Sequence, residues 1–553
     1  MFVPTFRSAN QDLLDAMNTL QQCLADPNCN IEARNRIKMV DKFKELKRLH
    51  SEDPHNCNNF EIKNRNESWL KMVTEMINIF ESCSISHPRE SSSTPVKELN
   101  SELLQALLCF FLLGEETATI KKRQLIYWWV GQGLIDIHDD NDVEKAANVM
   151  LNQLIEANAI EQVISRGWKK RCSQYKLMRK SFSNQHQQNV GVLKKQETFD
   201  EQSQAMIETL FNYDVSILNI PSDWLRKMRN LKVLHLGRWS NDLEQYFEVE
   251  NVEFLQGLKY LKQVRFICFK GMSRIMDLGN EICSLGHNLR VLDLKSCPNL
   301  EVLPKGIGKL KNLTHLDVSE CYLLDRFPLG IISLTKLQVL EGFVISDVDT
   351  TSSCKFKDLA NHLGTTLRKL SIRTRKVTFP VEDDLKALAK FVKLLKLKVV
   401  WIKVCDSDEK EATLKTKDRL HSRALVRNLA MTFRGEHQEE IPRGLPKQLE
   451  KLEVQGIPQK AVNNLILRNN ERLESLKKLY IIGGELFDLT DQGRIQWKVV
   501  ETMQLKYLTK LHMNWRQFKN SFPNVNYLEM IHCPCLSFFP CDQNGIWRPA
   551  EYL

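Results

Sequence analysis

Leu289-Arg-Val-Leu292-Asp-Leu294-Lys-Ser-Cys297-Pro-Asn-Leu300-Glu-Val-Leu303-Pro304 is followed 24 residues later by Leu313-Thr-His-Leu316-Asp-Val318-Ser-Glu-Cys321-Tyr-Leu-Leu324-Asp-Arg-Phe327-Pro328. Leu337-x-x-Leu340 opens a third copy in the same register. The alternation predicts a short strand in each copy that buries every second side chain. The later leucines then fill the return side of a coil. A unit this short buries its apolar face only by stacking on its neighbours, so the expected architecture is an array with one continuous core.

This spacing is the leucine-rich repeat pattern. Looser copies are expected upstream at Leu231/Leu234/Leu236 and Leu261/Val264/Phe266. Downstream they are expected at Leu367/Leu370/Ile372, Val392/Leu395/Leu397, Leu449/Leu452/Val454, Leu476/Leu479/Ile481, Leu508/Leu511/Met513 and Val525/Leu528/Met530. Residues 404–442 hold no matching run and carry the charged stretch Asp406–Glu411. They read as an insertion with a helix around Arg423 to Met431. Cys297, Cys321 and Cys533 fall where such a coil turns inward. A small, weakly polar side chain packed under the coil suits that place better than a metal ligand, and no tetrahedral His/Cys spacing accompanies them.

The chain of 553 residues is 42% hydrophobic and 26% charged, which excludes a disordered tail and a coiled-coil rod. A formal charge of +10 over this length is too dilute for a dedicated nucleic-acid binder. The 15 cysteines are odd in number, irregularly spaced and without a Cys-x-x-Cys pair, which fits a reducing compartment. No apolar run reaches the length of a membrane span, and Met1–Arg7 turns polar too soon for a secretory signal. The expected location is the cytoplasm, with the nucleus as the alternative.

Ahead of the repeats, Glu98 to Gly114 reads as a helix with a wide apolar face (Leu103, Leu104, Leu107, Leu108, Phe110, Phe111). A second helix runs from Ile120 through Trp128-Trp129-Val130 and ends at Gly131 and Gly133; a third spans Ala146 to Leu154. Ile160–Ile164 and Cys172–Leu177 then read as two strands, which gives winged-helix order. Leu107–Phe111 with Ile120–Leu134 resembles the winged-helix segment of plant intracellular disease-resistance proteins of the coiled-coil NLR class. Cys297–Cys321 is similar to their repeats. The resemblance implies an α/β leucine-rich-repeat solenoid (horseshoe) with an N-terminal helical region and a winged-helix domain. Its parts are a helical coiled-coil-like region at 1–83, a linker at 84–97, the winged helix at 98–182, a connector at 183–215 and the repeats at 216–553.

The sequence departs from that family in one respect that governs function. The family's ATPase core needs Gly-x-x-x-x-Gly-Lys-Ser/Thr, whose backbone amides and lysine surround the phosphates. Gly306-Ile-Gly308-Lys309-Leu310 lacks both the earlier glycine and the hydroxyl. The family's Met-His-Asp sensor aligns with Gln174-Tyr175-Lys176, and about 98 residues before the winged helix are too few for a nucleotide core. The expectation is therefore a non-enzymatic defence protein with no cofactor, metal or catalytic residue. Such a protein recognises a pathogen effector or guarded host protein, or pairs with a full-length NLR, as receptor relative, decoy or adaptor. The concave-face candidates are Lys232, His235, Arg290, Asp293, Thr314, His315, Asp317, Lys369 and Ser371, read as exposed positions between the leucines. A winged-helix nucleic-acid regulator using Lys121-Lys122-Arg123, Lys169-Lys170-Arg171, Trp128, Trp129 and Trp168 is the competing reading.

Overall fold

The computed structural model describes residues 100–549 apart from 113–118, 136–142, 164–173, 179–189, 194–200, 214, 240–246, 347–351, 403–443, 468, 470–472 and 492. The N-terminal helices expected at 1–83, the Arg423–Met431 helix and Lys169–Arg171 lie outside the described residues. The described residues belong to one compact unit, Lys97–Leu553.

Its first part is a small helical module. Asn100 accepts a hydrogen bond from the backbone N–H of Leu103 at 2.8 Å and caps helix α1 (Ser101–Ala106), which passes through Leu107 into α2 (Leu108–Leu112). After strand β1 (Ile120–Lys121) comes α3 (Lys122–Gln132), closed by Gly133 at φ 82°. Helix α4 (Val143–Glu156) leads to the strands β2 (Ile160–Val163) and β3 (Gln174–Leu177). The three strands form an antiparallel sheet in the order β1-β3-β2. Two-residue β1 has no sequence signature of its own. It exists because Ile120 and Lys121 pair with Tyr175 and Gln174.

The rest is a coil of repeats around one long sheet. Its strands are β4 (Val190–Leu193), β5 (Thr209–Asn212), β7 (Val233–His235), β9 (Phe266–Cys268), β10 (Val291–Asp293), β11 (His315–Asp317) and β12 (Val339–Ile345), then β13 (Lys369–Thr374), β14 (Lys396–Trp401), β15 (Lys451–Ile457), β16 (Lys478–Gly484), β17 (Thr502–Lys506) and β19 (Tyr527–Ile531). Neighbours are parallel, and β21 (Ile546–Trp547) closes the end antiparallel to β19. Two short parallel pairs lie beside the sheet: β6 (Ile217–Leu218) with β8 (Glu248–Val249), and β18 (Met513–Asn514) with β20 (Leu536–Ser537). The sheet starts with β4 and β5, ahead of residue 216.

The repeat register explains the core. Leu292 stands opposite Leu316, and Leu316 opposite Leu340. All three are wholly buried, as are Leu289, Leu294, Leu300, Leu313 and Leu324. Each such side chain contributes about 1.5–3 kcal/mol by leaving water. Return strokes of the middle coils are 3-10 turns, Lys305–Lys309 and Leu329–Ser333, each preceded by a proline (Pro304, Pro328) whose φ near −65° starts the turn. Where strands converge inward, the same coil position takes a left-handed backbone: Gly271, Ser296, Glu320, Tyr507 and His532 have φ between 50° and 82°. The next residue in three of these coils is the inward cysteine. The Cys297, Cys321 and Cys533 thiols donate to the carbonyls of Phe269, Leu294 and Leu505 in the preceding coil, at 3.2, 3.1 and 3.4 Å. Burial pushes the Cys321 thiol up to about 12, so it stays protonated and donating.

Three expected copies sit differently from their sequence reading. At Leu261/Val264/Phe266 the inward residues are Val264, Ile267 and Phe269, and Phe266 points to the other face. At Val392/Leu395/Leu397 they are Leu394, Leu397 and Val399, with Val392 exposed. At Leu508/Leu511/Met513 the strand of the main sheet is β17, and Met513 belongs to β18. In each case several leucines at similar spacing compete, and the ladder partners select the register.

Candidate functional site

The outer face of the sheet, opposite the leucine core, is built from the residues flanking each core leucine. One row runs through Thr209, Val233, Phe266, Val291 and His315 in matched register, continuing to Val339, Lys369, Lys396, Lys451 and Lys478. A second row two residues on begins Phe211, His235, Cys268, Asp293, Asp317, Glu341.

Helix α3 lies on the early part of this face. Tyr127 meets Phe266 and His315 edge-on, with ring centroids 6.0 and 5.2 Å apart. Trp128 meets Phe211 and Trp239 in the same way, at 6.0 and 5.7 Å. Trp129 turns instead into the module, where its indole N–H donates to the Ala106 carbonyl at 2.9 Å. Gly131 allows the close approach: a Cβ there would lie 2.7 Å from the Cβ of Phe266 and 2.9 Å from Val233. Phe211, Val233, Trp239, Phe266, Cys268 and Val291 therefore share a core with the module and not with the leucine stack.

Ion pairs fix the rim. Arg123 spans Asp317 at 3.0 Å and Glu341 at 3.1 Å. Lys396 reaches back to Glu144 of α4 at 2.6 Å. Burial, then the neighbouring Glu341, pushes the Asp317 carboxyl above its ordinary range. Burial also acts upward on Glu341, but Lys369 and Arg123 outweigh it and hold that carboxyl well below. Burial, followed by Lys270, lowers His235 to about 3; burial, followed by Lys369, lowers His315 to about 4. Both imidazoles are neutral at pH 7.

The candidate contact residues divide accordingly. His235, Asp293, His315 and Asp317, exposed on the repeat pattern alone, are buried, because α3 and its neighbours cover them. Thr314 and Ser371 are buried as well; the Thr314 hydroxyl donates to the Arg290 carbonyl at 2.9 Å. Arg290 is half-buried. Lys232 is half-buried and pairs with Glu208 at 2.7 Å, and Lys369 pairs with Glu341 at 2.7 Å. Of the nine, Lys369 alone belongs to the part of the row beyond the cover that continues as lysine. Lys396, Lys451 and Lys478 are not among those nine, and the sequence signal for them is a short shared pattern: Lys369-Leu-Ser-Ile, Lys396-Leu-Lys-Val, Lys451-Leu-Glu-Val and Lys478-Leu-Tyr-Ile. Among the described residues no group of three or more His, Cys, Asp or Glu is placed to hold a metal, and no helix is long and apolar enough to cross a membrane.

A parallel sheet of stacked coils, carrying a docked helical module, defines a leucine-rich repeat protein. The family model described as "Leucine-rich repeat region" matches residues 209–538, and the chain belongs to that family. It is also a relative of plant disease-resistance proteins. It is 25% identical over 476 residues to "Disease resistance RPP13-like protein 4" of Arabidopsis thaliana, covering 81% of this chain and 51% of that protein. The chain thus spans about half the length of that curated relative. Among solved structures it is similar to a leucine-rich repeat protein of Leptospira interrogans (16% identity, 61% of this chain and 70% of that one, TM-score 0.35). It is likewise similar to the leucine-rich repeat domain of APL1B (14% identity, 64% of this chain and 89% of that one, TM-score 0.33).

Proposed function

We propose that this chain is a non-enzymatic recognition protein of plant defence, which binds a protein partner on the outer face of its repeat sheet. The observation that carries this reading is the partition of that face. One stretch is occupied by the chain's own α3, and the stretch from β13 to β16 presents lysines in register, Lys369, Lys396 and Lys451 half-buried and Lys478 exposed. A face that already packs one helical element by edge-on ring contacts and ion pairs has the geometry for binding polypeptide. We read the module over 98–182 as a winged helix, on the strength of its β1-β3-β2 sheet and the order of its helices. The Gln174-Tyr175-Lys176 sequence, where the Met-His-Asp sensor aligns, supports a receptor relative, decoy or adaptor that works without an ATP switch.

The nucleic-acid reading is the weaker one. Arg123 is committed to Asp317 and Glu341, and Trp128 and Trp129 are wholly buried. The exposed side of α4 offers Lys145, Asn148, Val149, Asn152, Gln153 and Glu156, with a single cation among them. Capture from pathogen-challenged leaf tissue tests the recognition reading. The full chain retains a protein that a Leu316→Asp chain, with its array disrupted, does not. Identical captures by the two chains sink it.

A further inference from the structure

The turns that lead from a return stroke into the next strand share one geometry. Met228, Leu261 and Leu310 are wholly buried, with φ between −80° and −75° and ψ between 57° and 63°, an inverse γ-turn. The backbone N–H groups of Arg229, Lys262 and Lys311 accordingly donate to the carbonyls two residues back, at 2.9, 2.9 and 2.8 Å. Burying the central residue turns the next one outward, so these three cations stand exposed in one column across the coils of β7, β9 and β11. A second exposed column, Arg226, Lys259 and Lys309, ends the return strokes, where a cation complements the terminal carbonyls. That dipole accounts for the second column and not for the first, which lies past the stroke.

Residues 226–232, 258–265, 285–290 and 309–314, which make this side of the array, hold no Asp or Glu. Among the described residues none of the six cations meets a carboxylate. Arg226 and Lys259 lie over the Tyr260 ring at 5.6 and 5.3 Å, and Lys311 donates to the Ser333 carbonyl at 3.1 Å. Glu208 of the preceding coil goes to Lys232 at 2.7 Å. The opposite side, where the strokes begin, is mixed: Asp277, Glu301 and Asp325 stand among Arg274, Lys305 and Arg326.

We propose that this basic side of the array docks on an anionic lipid surface. It is a different surface from the sheet face and does not depend on the recognition reading. The occupant follows from what the side offers besides charge. The amides of Asn230, Asn288 and Asn312 donate to the Ala205, Lys262 and His287 carbonyls of the preceding coils. The exposed Tyr260 ring lies under its two cations. These amides are engaged within the array and the ring is covered, whereas single-stranded nucleic acid draws much of its affinity from base stacking. Lipid headgroups ask for positive charge alone, and each cation near them adds to the attraction. The three ladder steps from β7 to β11, about 4.8 Å each, spread the columns over roughly 14 Å. Flexible lysine stems let all six meet one plane.

The test sediments the full chain with vesicles of phosphatidylcholine alone or of phosphatidylcholine with about a third phosphatidylserine. The anionic vesicles carry the chain down, less so as salt rises, and the neutral ones leave it in solution. Arg229→Gln with Lys262→Gln and Lys311→Gln weakens binding by about tenfold or more. Arg274→Gln with Lys305→Gln and Arg326→Gln, an equal charge change on the opposite side, leaves it unchanged. Lys262→Gln alone gives a smaller loss in the same direction and serves if the triple variant melts early. The proposal is overturned if the anionic vesicles do not bind, or if the Arg229, Lys262 and Lys311 changes leave binding at the parent's level. It falls equally if both triple variants lose alike, since net charge and not this side would then be read. A single-stranded oligonucleotide that the chain binds more tightly than the vesicles, through the same three residues, gives the side to nucleic acid and overturns it too.

Discussion

Over β5, β7, β9 and β10 the residue before each core aliphatic is Thr209, Val233, Phe266 and Val291; over β13 to β16 it is Lys369, Lys396, Lys451 and Lys478. The backbone is the same parallel ladder in both stretches, and the inward leucines are equally buried. What differs is the one position that the coil does not need. Where it is apolar (Val233, Phe266, Val291) or, at Thr209, accepts a hydrogen bond from Gln132 of α3, that helix covers it and the sheet gains a second core. Where it is lysine, burial would cost each side chain its hydration, and the face stays open. The fold therefore sets where side chains project, and this single position sets what the face receives.

The largest effect breaks both stretches at once. Leu316→Asp puts an unpaired carboxylate into the stack between Leu292 and Leu340, and a loss of more than about 4 kcal/mol is expected. Thermal melting followed by circular dichroism reads it as loss of the cooperative transition. Val291→Lys breaks only the covered stretch, by giving it the residue type of the open one. Its cost falls on docking, about 3 kcal/mol or more, because the solenoid tolerates an outward lysine and the α3 contact does not. Hydrogen exchange should rise in α3 and in β9 to β11 while β13 to β17 remain protected. Uniform protection after this change would show that the cover is not what buries Val291.

Arg123→Ala tests the rim of the same contact. It leaves Asp317 and Glu341 facing each other without their shared cation. Arg123 is partly exposed, so about 2 kcal/mol is expected in place of the full penalty of a buried pair. Acid acts on the same contact. His315 has a folded value lowered to about 4 from an ordinary 6.5, so the unfolded or undocked state binds protons more readily between those values. His235, lowered to about 3, and Glu341, also lowered, act in the same direction; Asp317, raised, opposes them. Stability is therefore present above about pH 6.5 and falls as pH drops toward 4, by at most about 1.4 kcal/mol per pH unit for each histidine. His315→Gln should flatten that slope in melts taken from pH 7 to 4.5, and an unchanged slope would place the titration elsewhere.

The repeat array was legible in the sequence because its leucines answer to one steric demand at fixed spacing. Leu292, Leu316, Leu452 and Leu479 fall where the pattern puts them. Phe266 was not legible as an outward residue. A phenylalanine beside Ile267 fits either face, and only the presence of α3 decides between them. The burial of His235, His315 and Asp317 was not legible for the same reason: a repeat pattern reports the coil and is silent about what lies on it. The pairings Arg123 with Asp317 and Lys396 with Glu144 join residues 194 and 252 positions apart, and no local spacing encodes such contacts. The lysine row was within reach of sequence, since Lys-Leu-x-Ile/Val stands at β13, β14, β15 and β16, but the same pattern at Lys336-Leu337-Gln338-Val339 falls off the row, so the pattern alone does not mark the face.

The smallest expected effect completes the exchange between the two stretches. Lys478→Val places the residue type of the covered stretch on the open one. Lys478 is exposed and stands between Lys451 and Thr502 in the ladder, so the change removes a like-charge neighbour and adds an apolar group to water. The two effects are each a few tenths of a kcal/mol and opposed, and the melting transition should move within about 0.5 kcal/mol of the parent. The asymmetry with Val291→Lys is the informative quantity. If Lys478→Val proved as costly as Val291→Lys, the open stretch would be packed against something in solution. A contrast of several kcal/mol between the two identifies the cover over β10, and not the repeat position itself, as the source of the difference.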